Sequence, residues 1–115
     1  MDKAASPFQV RAQAHFHSSR GGASLLVHLT AHPRYPTHAS LQAAGILHIH
    51  LQTSRTGARL EQTLVAYLAR HLHLPPDRVA VAAGQGQPGK IMVMYDITPA
   101  ELDRRLHTWL GAGEG

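Results

Sequence analysis

The stretch from Val79 to Asp96 limits this chain most: two apolar runs, Val79–Ala83 and Ile91–Tyr95, are joined by a glycine-rich loop. Gly84, Gly86 and Gly89 satisfy a dinucleotide-binding spacing, and Gly84 with Gly89-Lys90 satisfies most of a phosphate-loop spacing. Both chemistries need the loop to open a helix whose N-terminus meets phosphate. Here Lys90-Ile91-Met92-Val93-Met94-Tyr95 is a strand pattern, so the loop is the turn of a β-hairpin. Position 91 is Ile where magnesium would need Ser or Thr, and Arg104-Arg105-Leu106 stands where a ribose-binding acid would be. Nucleotide hydrolysis and dinucleotide binding are not expected.

Upstream, Leu25–Leu29 and Ile46–Leu51 alternate as half-buried strands, the second with Leu47, Ile49 and Leu51 opposite His48 and His50. Between them Ala31–Gly45 holds Pro33 and Pro36 and reads as an irregular connection. Leu60, Leu64, Tyr67, Leu68 and Leu72 then fall on one helical face, stopped by Pro75-Pro76-Asp77. In the last element Thr98 is placed to cap a helix, Glu101 to return the bond, Pro99 to occupy the first turn and Ile97 to staple onto Leu102. Leu102, Leu106, Trp109 and Leu110 form its stripe, and Gly111 ends it.

The order β-β-α-β-β-α predicts an α/β (α+β) fold of two layers, a mixed four-stranded sheet with two helices on one face. Residues 23–111 form one domain, with an N-terminal tail at 1–22 and a C-terminal tail at 112–115. A right-handed crossover makes Ile46–Leu51 and Val79–Ala83 a parallel central pair, which brings the loops 53–59 and 84–90 to one rim. Gly21-Gly22 joins that rim if the first two strands are antiparallel. Ile91, Val93 and Tyr95 are expected inward, leaving Met92 and Met94, with Leu26, on the open sheet face.

A chain of 115 residues supports a single core. The absence of cysteine excludes disulfides, thiol catalysis and thiolate metal sites. No run reaches the roughly 18 apolar residues of a membrane span, and the expected setting is soluble and cytoplasmic. A formal charge of +4 favours anionic partners, while the few scattered aromatic residues do not suggest a base-stacking platform. The 10 histidines make that charge pH-sensitive.

From about Leu25 to Leu110 the chain resembles the YggU-like family of small uncharacterised proteins. The similarity is carried by Leu25-Leu26-Val27-His28-Leu29 followed by Pro33, by Leu47–Leu51 leading into Gly57, by His71-Leu72-His73-Leu74-Pro75, and by Val79-Ala80-Val81 with Gly84, Lys90 and the final helix. The resemblance implies the same β-β-α-β-β-α order and no particular activity. Family members carry Gly-Lys-Ala-Asn where this chain has Gly57-Ala58-Arg59-Leu60, and an arginine where it has Gln87-Pro88. Gly57, Gly84 and Lys90 alone carry over position by position.

Three sites are open on these residues. The first is an anion site on the shared rim, formed by Arg55, Gly57, Arg59, Gly84, Gly86 and Lys90 and suited to nucleic acid or a phosphate-bearing ligand. The second is a metal-dependent enzyme in which His28, His48 and His50 converge on zinc; His48 and His50 are roughly 6.5–7 Å apart on one strand face. The third is protein interaction or homodimerisation through Leu26, Met92 and Met94, a face that the tail residues Phe8, Val10 and Phe16 compete to cover. No paired carboxylates or nucleophile and base stand out, so the chain leans away from catalysis and no cofactor is expected.

Overall fold

One long strand, β2 (Gly22–Ala31), organises the sheet, because it is paired on both flanks and on one of them by two different partners. The computed structural model describes residues 10–12, 21–42 and 45–111. Around β2 lie β1 (Val10–Ala12), β3 (His38–Leu41), β4 (Leu47–Leu51), β5 (Val79–Ala83) and β6 (Gly89–Tyr95). Helices α1 (Gly57–Leu72) and α2 (Pro99–Leu110) complete the fold, with a 3-10 turn at Pro76–Arg78. The order across the sheet is β3-β4-β2-β6-β5, and β1 pairs with β2 beyond the start of β4.

The α+β class and both helices are as the sequence patterns require, but among the described residues the sheet has six strands rather than four. β3 lies within the connection expected to be irregular, and β1 within the segment expected to be a tail. The strand order also differs. After β2 the chain passes Pro33 and Pro36, which cannot extend a ladder through their nitrogen, skips one strand position and forms β3 at the edge. The β3–β4 pair then returns β4 into the vacant slot, parallel to β2 with His28 opposite His48. β4 and β5 therefore run in the same direction but are separated by β2 and β6; they are not a central pair. Because β2 is parallel to β4, Gly21 and Gly22 lie at the end opposite the predicted rim, where Gly21 O accepts from Asp96 N at 2.8 Å.

Alternation sorts the sheet into two faces. Ala23, Leu25, Val27 and Leu29 of β2 join Leu47, Ile49 and Leu51 of β4 under the helices, meeting Leu64, Leu68 and Leu72 of α1 and Leu102 and Leu106 of α2. Met92 and Met94 belong to this core and are fully buried, whereas Ile91 is exposed, the reverse of the predicted facing; Val93, outside this core cluster, is fully buried as well. The run Ile91–Tyr95 is apolar throughout and offers no alternation to read. Its facing is set by pairing: Met92 lies opposite Leu25 and Met94 opposite Ala23, while a register shift between Val81 and Ala83 absorbs the mismatch with β5.

The end of α2 follows its sequence signals, with Gly111 at φ 78. Its start follows them in part. Thr98 Oγ1 accepts from Glu101 N at 3.1 Å, but the Glu101 carboxylate turns to Arg104 and Arg105 rather than back to the cap.

Candidate functional site: the rim and the basic flank of α1

The two loops do share a rim. Glu61, one turn into α1, accepts from Gly86 N and from Lys90 Nζ, each at 2.8 Å. Lys90 sits in the helix-facing row of β6, opposite Val27, so alternation directs it beneath α1 instead of into solvent. Its side chain is only 4% exposed, and its ammonium also donates to Gln87 O at 2.6 Å and Gly84 O at 3.3 Å. The Lys90 ammonium, chiefly, and the Gly86 amide hold the Glu61 carboxyl below its usual range. Gly84 is at φ 85, and a Cβ there would fall 2.2 Å from Gly89 O, so the turn admits no side chain at that position. The anion that Lys90 and Gly86 bind is thus the chain's own carboxylate.

Arg55, Gly57 and Arg59 are placed differently. All three are exposed at the start of α1, where Thr56 makes no side-chain cap bond and the first turn carries no acid. Arg55 donates to Thr63 Oγ1 at 3.0 Å, which lays it along the helix. Farther along the same outer side come exposed Gln62, Ala66, Arg70 and His73. Among the described residues neither Arg55, Arg59 nor Arg70 has a carboxylate partner. The acids of the helix layer are engaged elsewhere: Glu61 with Lys90, Glu101 with Arg104 and Arg105, and Asp103 with His107.

At its C-terminal end α1 meets α2 in a groove lined by Arg70, His71, His73, Arg105, Thr108 and Trp109. Arg105 donates to Leu72 O at 2.9 Å and His73 O at 3.2 Å, satisfying the last carbonyls of α1 and the negative end of its dipole. His71 stacks on Trp109 with ring centres 4.8 Å apart and planes 19° apart, and Tyr67 packs its ring against both. Burial, then Arg70 and His73, lower the pKa of His71.

On the open sheet face His28, His48 and His50 share one side, as their spacing requires. His28 and His48 lie opposite one another with ring centres 4.8 Å apart. His50 turns away from them toward Thr30 Oγ1, at 2.8 Å, and stacks on His38. Among the described residues, buried His28 Nδ1 and His50 Nε2 have no hydrogen-bond partner. Among the described residues no three histidines or acids are arranged to hold a metal.

No protein-family model and no curated protein matches this chain.

Sequence reasoning brought Arg55, Gly57, Arg59, Gly84, Gly86 and Lys90 to one edge of the molecule but missed Glu61, which fills its inner half. The signal was present. An acid one turn after Gly57, at a position between core-facing Leu60 and Leu64, points toward whatever the neighbouring strand presents. Sequence reasoning also missed the grouping of Tyr67, His71 and Trp109. Tyr67 and His71 are four apart on a helix, but Trp109 reaches them only through the packing of α2 on α1.

Proposed function

We propose that this domain is a cytoplasmic binding module for nucleic acid or another phosphate-bearing polyanion, with a binding rather than a catalytic role. The contact surface starts at the rim arginines Arg55 and Arg59 and follows the outer side of α1 to Arg70. One observation carries this reading: three arginines stand on one side of the molecule without a carboxylate partner among the described residues, while nearby acids are held by other cations. Such a one-signed surface attracts polyanions and exacts a repulsive cost when empty. Lys90, Gly84 and Gly86 support the rim by fixing the 84–90 loop against α1. The placement of β2, β4, α1, β5, β6 and α2 in chain order supports membership of the YggU-like family as part of the same proposal.

Retention on a phosphate or nucleic-acid matrix tests the reading. Retention should fall steeply with salt, and the Arg55→Ala/Arg59→Ala/Arg70→Ala variant should lose about 0.7–0.9 of the log–log salt slope for each phosphate contact removed. Unchanged retention in that variant would reject the surface. A second reading, homodimerisation through the open sheet face, draws on exposed Ile91 beside Leu26 and the His28–His48 pair. A monomeric elution volume independent of concentration would remove it.

A further inference from the structure

We infer that the groove between the end of α1 and the end of α2 seats an unpaired nucleobase against Trp109, so that the polyanion of the proposed function, on which this inference rests, is a single strand. Recognition of a single strand requires cations that follow its backbone and a flat aromatic surface on which a base can stack. This side of the molecule places the two next to one another. Arg70 and His71 line the groove, and they also line an adjoining hollow that runs past Thr63 and Thr53. Thr63 in turn receives Arg55. A phosphate backbone laid along α1 from Arg55 to Arg70 therefore arrives at Trp109.

The groove encloses about 610 Å³, within the range of pockets that hold small ring systems. The indole is held in place before any ligand arrives, with His71 stacked on it and the Tyr67 ring set nearly perpendicular to it, ring centres 5.6 Å apart. A ring already fixed loses little freedom when a base stacks on it. Thr108, exposed beside it, offers a hydroxyl that can donate to or accept from a base edge. A duplex keeps its base faces within its own stack and has nothing to offer an aromatic floor, whereas a single strand exposes them. The same aromatic trio packs α1 on α2, and the two roles make different predictions.

Trp109 is the chain's only tryptophan, so its fluorescence reports the groove directly. The full chain is titrated at low salt with an oligodeoxythymidylate, with its duplex with oligodeoxyadenylate, and with heparin, a polyanion without bases. The single strand should quench Trp109 and bind about tenfold tighter than the duplex, while heparin binds in a salt-dependent manner without quenching. Trp109→Leu, which removes the fluorophore and is read by anisotropy of a labelled oligonucleotide, should weaken the single-strand complex about tenfold and leave heparin retention unchanged, and Trp109→Phe, which keeps an aromatic ring, should recover most of the loss. If heparin is retained through Arg55, Arg59 and Arg70 but the single strand neither quenches Trp109 nor outcompetes the duplex, the base-docking inference is overturned and the polyanion reading stands. If neither heparin nor oligonucleotide is retained, both are overturned.

Discussion

Replacing Glu61 with Ala isolates the contact on which the rim depends. The substitution leaves the Lys90 ammonium, 4% exposed, with Gly84 O and Gln87 O as its acceptors among the described residues, and leaves Gly86 N without its acceptor. Breaking a buried ion pair by removing one partner costs about 3–5 kcal/mol. Two acceptors remain to Lys90 and the Glu61 side chain is itself 16% exposed, which places the expected loss at the lower end, about 3 kcal/mol. For a domain of this size that is a fall in Tm of about 12 °C. Urea unfolding followed by far-ultraviolet circular dichroism measures it. The double variant Glu61→Leu/Lys90→Met removes both charges together and should return to within about 1 kcal/mol of the parent, because no uncompensated ion remains buried. The pH dependence has a definite sign. Since Glu61 titrates below its usual range in the fold, its contribution is complete above the unfolded carboxyl pKa of about 4.3 and is lost as pH falls through the folded value. A Glu61→Ala loss below about 1 kcal/mol, or a double variant as unstable as the single one, would show that the substitution strands no buried charge.

Two glycines of the same loop should separate steric from conformational cost. Gly84→Ala must displace the β6 backbone and should cost about 3 kcal/mol, whereas Gly86→Ala, with positive φ but open space around it, should cost about 1 kcal/mol in the same unfolding assay. Arg78 donates to Tyr95 O at 2.9 Å and also to Asp96 O, tying the 3-10 turn to the end of β6; Arg78→Ala should lose about 2 kcal/mol, and Arg78→Lys, which lacks the forked donors, should not restore it. The fold favours neutral His71, so stability linked to it should be complete above about pH 6.5 and decline as pH falls below that value. Trp109 fluorescence should titrate with a midpoint below 6.5, and the transition should vanish in His71→Phe.

Helix positions and the α+β class were legible because Leu64, Leu68 and Leu72, and then Leu102 and Leu106, repeat at helical spacing between clear boundary residues. The shared rim was legible too, since it needs only that β4 and β5 point the same way. Strand neighbours were not. Nothing in the residues of β4 says whether its partner across the sheet is β2 or β5; that was decided by the proline-bearing detour to β3. The facing of Met92 and Met94 was hidden for a related reason, because a strand apolar on both sides carries no period. Lys90 gave the opposite clue. A lysine adjoining an apolar run reads as solvent-directed until Glu61 is seen above it.

The position of β2 has a consequence for the order in which the chain acquires structure. It emerges early, yet its partner on one side is β6, so Leu25 must wait for Met92 before that flank is occupied. Such pairing across most of the sequence slows collapse to the native arrangement relative to helical proteins of similar length. On the ribosome, β2 through β4 would present an unsatisfied edge until β6 has left the exit tunnel. A truncation ahead of Gly89 therefore forfeits the whole domain, not only its last hairpin.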